Sequence, residues 1–175
     1  QPADQFGARI LLALLLFLDE ELFVIEKKLG DRGVVAGHET DDGVGDLVLM
    51  SAARRIVAAR YPRLDTPDFT SIIDEGSFQR LTGVLEDARA KGAKIDHLIG
   101  DAVPDADLRK IPPTILRDVT DEMTVMQQEI FGPLLPIKTY RNLEEAIGYI
   151  NAHERPLALY LFTNDREVQA AVLAR

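Results

Sequence analysis

The chain has 175 residues, 46% of them apolar and 28% charged, and a formal net charge of −9 at neutral pH. That balance supplies a buried core for one domain, or one domain with an appendage, and excludes both disorder and a fibrous repeat. Only 20 Lys and Arg face 29 Asp and Glu, with no basic run, so phosphate backbones and anionic lipid are repelled and nucleic acid is not expected as a partner.

In chain order, the first apolar run, Ile10 to Leu18, is too short to cross a bilayer and stops at Asp19, Glu20 and Glu21. No basic start and no small-residue cleavage site mark a leader, so the expectation is a cytoplasmic protein with no membrane span. Ile10, Leu14, Leu18, Leu22, Ile25 and Leu29 recur every three or four residues, which predicts a long helix over 9–29 with Gly30 as its C-cap. The following "GDRGVVAGHETDDGVGD" has no period and is dense in Gly and acids, which predicts a linker. A second helix is predicted from about Asp46 to Tyr61, with Leu47, Met50, Ala53, Ile56 and Val57 on one face.

Past Pro62 and Pro67 the texture changes to short alternating elements. Asp74 is placed to cap a helix bearing Phe78, Leu81, Leu85 and Ala88, which Gly92 ends. Strands are predicted near Ala93–Ile99, Thr114–Val119 and Leu134–Tyr140. Asn142 and Glu145 form a helix-starting box, with Leu143, Ala146, Ile147 and Ile150 facing inward. "PLALYLFT" is a continuous apolar run, the pattern of a strand covered on both faces, and Asn164 with Glu167 starts a last helix. The fold class is therefore α/β: residues 1–60 a helical region with an acidic Gly-rich linker, residues 61–175 an α/β layer. That layer is expected to have too few strands to close its own core, and the last helix runs uncapped into Arg175, so the chain is expected to be cut.

Most familiar chemistries fail on the residues present. "GVGDLV" lacks the third Gly of a dinucleotide loop and sets Asp46 where a pyrophosphate would lie. "HETDD" has Asp42 where a zincin needs its second His, and as a calcium loop it reaches Leu49 where a bidentate Glu belongs; no metal site is expected. The absence of Cys removes disulfides, thiolate-held metals and the strongest protein nucleophile. His38, His97 and His153 are scattered and no Ser sits in a G-x-S-x-G elbow, while Glu20, Glu21, Glu144 and Glu145 read as solvated faces. No catalytic residue is assigned.

One stretch stands apart. In "QQEIFGPLLP", residues 127–136, an apolar run ends, Gly132 and Pro133 force a corner, and Glu129 and Phe131 are presented on it before the chain resumes as a strand. A carboxylate there can accept hydrogen bonds from a ribose diol and an adjacent Phe can pack on a flat ring. A corner in which Phe131 plugs the core and Glu129 is merely solvated fits the residues equally well.

The stretch resembles the E-E-I-F-G-P signature of the aldehyde dehydrogenase superfamily, with Gln128 replacing the first Glu. The similarity continues through "IPPTILRDVTDEMTVMQ", "PLALYLFTND" and "YPRLDTPDFTSIIDEGSFQRLTGVLEDARAKGA", nearest to the branch acting on coniferyl and related aromatic aldehydes. "LLALLLFLDEE", "LGDR" and "HET" resemble the N-terminal helices of that branch more loosely. The resemblance implies NAD or NADP as cofactor, a small-molecule aldehyde as partner and a homo-oligomer. It also implies that Glu129 binds the nicotinamide ribose and that Phe131 lines the nicotinamide pocket.

The same resemblance implies a Cys nucleophile, a glycine-containing cofactor loop, a general-base Glu segment and an oxyanion Asn, none of which this sequence carries. The expectation is an internally deleted and truncated family member with a seam near "SAARRIVAARYPRL", inactive alone. The alternative is a non-catalytic interaction or assembly module that keeps the scaffold.

Overall fold

A computed structural model describes residues 22–26, 33–38, 44–153, 158–163 and 165–174. Its strands are β1 (Leu22–Glu26), β2 (Gly33–His38), β3 (Lys94–His97), β4 (Thr114–Arg117), β5 (Leu134–Tyr140) and β6 (Ala158–Phe162). The helices are α1 (Val44–Arg60), α2 (Glu75–Ala90), α3 (Thr124–Gln127), α4 (Leu143–Ala152) and α5 (Arg166–Leu173). One mixed sheet runs in the order β3-β4-β5-β2-β1-β6. Its centre is parallel, with Ile115 opposite Leu135 and Val35 opposite Ile137, while β3, and β1 against both its neighbours, pair antiparallel.

The α/β class follows from which faces of the central strands are buried. Ile115 and Leu116 on β4 are both fully buried, and as neighbours on a strand they point to opposite faces. Ile115 joins Ala53 and Val57 of α1, together with Tyr61 and Phe69, whose rings lie 5.1 Å apart. Leu116 joins Leu81, Leu85 and Ala88 of α2 and Val125 and Met126 of α3. Helices thus cover both faces at β4, so its two middle residues are both apolar rather than alternating with polar ones. Each fully buried Leu or Ile there contributes about 1.5–3 kcal/mol of transfer free energy. A smaller cluster joins Tyr140 and Ala146 to Leu143, Ile150, Leu161 and Val172 under α4 and α5.

Local signals set the helix ends as expected in two places. Asp74 accepts from the Ser77 backbone N–H at 2.7 Å to start α2, and Gly92, at φ +98°, follows its last turn. Asn142 accepts from Glu145 N–H at 3.0 Å to start α4; the return arm differs from a standard box, because Glu145 Oε2 accepts from Arg141 N–H, one residue earlier.

Five expectations are corrected. Of the helix predicted over 9–29, residues 9–21 and 27–29 lie outside the described residues, and Leu22–Glu26 is strand β1. Fourteen of the 21 positions from 9 to 29 are apolar, so a helical spacing is easily drawn through them whatever their structure; "LFVIE", with β-branched and aromatic residues, pairs on both edges instead. The linker predicted over 30–46 contains β2, and α1 already begins at Val44. Its two Val are flanked by Gly, which masks a strand whose partner β5 lies about a hundred residues away. The sheet consequently has six strands rather than too few. Asp165, not Asn164, caps α5, accepting from Glu167 N–H at 2.7 Å; Asn164 lies outside the described residues. Finally, β6 is an edge strand, and Leu159 and Tyr160 remain 37% and 41% exposed rather than covered.

Asp87 of α2 ties down the turn that leads into α3. Its carboxylate accepts from Thr124 N–H at 2.7 Å and pairs with Lys91 Nζ at 2.7 Å, while that ammonium also donates to the Glu122 carbonyl. The Lys91 hydrogen bond, then the Thr124 N–H, hold the Asp87 carboxyl down at about 2, against an ordinary 3.8. Because the folded pKa is the lower one, the contribution is complete above pH 3.8 and fades as pH falls through about 2. Asp87→Asn is therefore expected to destabilise the chain to urea at neutral pH and to converge with the parent near pH 2, read as the gap between unfolding midpoints.

Candidate functional site

The corner between α3 and β5 is built by α2. After Gln127 the chain passes Glu129, Ile130, Phe131 and Gly132 before entering β5 at Leu134. Ile130 and Leu134 are buried in the cluster beneath α2, pinning the corner at both ends. Pro133 adds a tie to the sheet, its carbonyl accepting from Thr114 N–H at 2.9 Å. From α2, Arg80 donates Nη1 to the Glu129 carbonyl at 2.9 Å and Nη2 to the Ile130 carbonyl at 2.8 Å. Leu81, the next residue, lies so close to Gly132 that an added Cβ would sit 2.5 Å from its Cδ1. Gly132 thus serves the close approach of the corner to α2, not only the turn.

This packing decides what the corner exposes. Phe131 has φ +43° and is 61% exposed, so it does not plug the core. A non-glycine residue in that region costs about 1–3 kcal/mol, and leaving an aromatic ring in water forgoes about as much again. Such a conformation persists only where the surroundings over-determine it. Glu129 is exposed beside it, and no described residue pairs with its carboxylate. The two residues picked out by sequence therefore stand together as a free acceptor and a free ring face, a combination that fits a sugar diol joined to a planar heterocycle. Phe131→Asn should leave stability unchanged or raise it by up to about 1 kcal/mol, since Asn tolerates positive φ; thermal unfolding checks this.

The remaining candidates are elsewhere and occupied. Thr114 Oγ1 donates to the Pro112 carbonyl at 2.6 Å, so its 2.8 Å contact with His97 is donated by His97 Nδ1. Burial, and then the nearby Arg89 cation, push the His97 imidazole below its ordinary pKa, which suits a structural histidine. His153 Nδ1 bonds the Tyr149 carbonyl at 2.7 Å, and the side chain of His38 is not described. Glu145 is spent on Arg141. "GVGDLV" enters α1, and the segment around "HETDD" beyond His38 lies outside the described residues up to Gly43. Among the described residues no cluster of His, Cys, Asp or Glu could hold a metal ion, and no helix is long and apolar enough to cross a membrane. An open depression lined by Leu64, Val103 and Pro104 with Asp101, Asp105 and Asp107 contains neither Glu129 nor Phe131, and its acidic wall opposes an anionic ligand. Sequence reasoning missed Arg80, whose role depends on a contact 49 and 50 residues away and leaves no local signal.

A parallel-centred sheet with helices on both faces defines an α/β scaffold, with Glu129 and Phe131 exposed on the corner that enters β5, and comparison with known proteins gives its family. Residues 41–175 match the aldehyde dehydrogenase family, and the chain belongs to that family. It is 48% identical over 129 residues to the coniferyl aldehyde dehydrogenase of Pseudomonas sp. strain HR199, covering 72% of this chain and 27% of that one. It is 44% identical over 126 residues to a probable coniferyl aldehyde dehydrogenase of Caulobacter vibrioides, covering 70% and 26%. Among solved structures, substrate-bound AldH from Staphylococcus aureus superposes with a TM-score of 0.66 at 34% identity, covering 80% of this chain and 29% of that one. The chain thus spans about a quarter of the length of the curated relatives it matches.

Proposed function

We propose that this chain is the part of an NAD(P)-dependent aldehyde dehydrogenase that receives the nicotinamide end of the cofactor, in an enzyme that oxidises an aromatic aldehyde to its acid. What supports this reading is the corner itself: an unpaired carboxylate and a strained, exposed aromatic ring held side by side within a family-matching segment. Glu129 would accept hydrogen bonds from the nicotinamide-ribose hydroxyls, and Phe131 would lie against the nicotinamide. The bound nicotinamide supplies a hydride acceptor. The chain's own residues orient that acceptor, and fixing its ring is worth rate because near-attack geometry removes rotational freedom from the reacting pair. The aromatic character of the aldehyde is carried over from the coniferyl aldehyde relatives. The chain has no Cys, so the covalent step requires a thiol from outside these 175 residues.

The test is direct binding. NADH fluorescence titration of this chain should give a saturable signal, weakened about tenfold or more by Glu129→Ala, the loss expected for hydrogen bonds to a charged acceptor. No binding by the unaltered chain, or equal binding by the variant, would refute the reading.

A further inference from the structure

We propose that Arg80 is a positioning residue for this corner, setting Glu129 and Phe131 through their backbone rather than by contact with the cofactor. The proposal rests on the reading of the corner as a cofactor site. Its observation is the fork: Nη1 and Nη2 of one guanidinium engage the carbonyls of consecutive residues, Glu129 at 2.9 Å and Ile130 at 2.8 Å. In extended backbone, successive carbonyls point to opposite sides. Two that converge on one planar group belong to a turned chain, and the guanidinium holds that turn with charge-assisted bonds. The residue immediately after it is Phe131, at φ +43°, and the next is Gly132, seated against Leu81. Two adjacent side chains of α2 therefore fix Glu129, Ile130 and Gly132, leaving Phe131 between them no relaxed alternative.

Arg80 has spent both terminal nitrogens on protein carbonyls and is partly buried, so what it offers the site is geometry. Without the clamp, Phe131 is free to leave positive φ, carrying its ring and the neighbouring carboxylate of Glu129 out of register. Lys cannot substitute, because a single ammonium at the end of a flexible stem does not span two carbonyls in a fixed plane.

Arg80→Lys and Arg80→Met, made in this same chain, test the idea by two measurements. Both variants should bind NADH about tenfold more weakly by fluorescence titration, the effect of losing one well-made charged hydrogen bond's worth of alignment. Both should also shift the carbonyl-carbon resonances of Glu129 and Ile130 in the NMR spectrum while the shifts of core residues such as Ile115 stay in place, a pattern that general unfolding would not give. Retained NADH affinity in Arg80→Lys, with loss only in Arg80→Met, would overturn the proposal, because charge toward the ligand would then be the operative property. Unchanged carbonyl resonances in both variants would overturn it equally. If the unaltered chain binds no NADH, the cofactor reading fails, and the carbonyl shifts alone decide whether Arg80 shapes the corner.

Discussion

Leu81→Ala should destabilise the chain by about 2–5 kcal/mol, and Gly132→Ala by about 1–3 kcal/mol, yet the two together should cost less than their sum. Leu81 is fully buried between α2 and the corner, so truncating it leaves a void among Ile111, Leu116 and Met123, all equally inaccessible. The Gly132 effect has the opposite cause. A new methyl there would meet Leu81 Cδ1 at 2.5 Å and Cδ2 at 2.9 Å. The end of a Leu side chain is ordinarily free to swing aside, but at zero exposure in a packed cluster it moves only by displacing its neighbours. In the double variant the added methyl occupies part of the space the Leu vacated. A double-mutant cycle by urea unfolding measures the coupling. Strict additivity would mean that the corner moves away from α2 rather than packing on it, and the account of the exposed Phe131 would fall with it.

What could be read from the sequence divides by the range of the interaction. Asp74, Asn142 and Gly92 act within four residues of themselves, so the starts of α2 and α4 and the end of α2 were legible. β5 was legible to the residue because Gly132-Pro133 marks its start and a mostly apolar stretch of seven residues follows. The N-terminal strands were not: β2 derives its identity from pairing with β5 across the chain, and β1 from sitting between β2 and β6. Without that context, Gly33, Gly37 and the acids around them read as linker punctuation. The site shows the same division. Glu129 and Phe131 were visible as types at a Gly-Pro corner, but whether Phe131 plugs the core or faces out was not legible, because its exposure is set by packing against α2. Arg80 carries no sequence cue, since an Arg on the flank of an amphipathic helix is an ordinary solvated residue until two carbonyls come to meet it.

Incubating this chain alone with an aromatic aldehyde and NAD is expected to give no NADH above a protein-free blank, however well the dinucleotide binds. Hydride does not leave an aldehyde carbon directly, because that would leave a high-energy acyl cation; a nucleophile must first add to the carbonyl, so that the oxyanion of the tetrahedral adduct expels the hydride. In family members of the kind this chain resembles, that nucleophile is a thiolate, and the sequence contains no Cys. Water supplies the hydrate instead, but expelling hydride from it requires removal of a hydroxyl proton by a positioned base. Glu129 is committed in the proposed reading to the ribose, and His97, held through Nδ1 by Thr114 on the edge pair of strands, is engaged in structure. Loss of the nucleophile from an enzyme using covalent catalysis costs on the order of 10⁶ in rate, which places residual turnover below detection. Absorbance of NADH over hours, with intact mass of the protein after borohydride quenching, makes the comparison. A burst of NADH, or an acyl adduct mapped to a Ser, Lys or His of this chain, would show that the polypeptide has its own nucleophile and that cofactor orientation is not its only contribution.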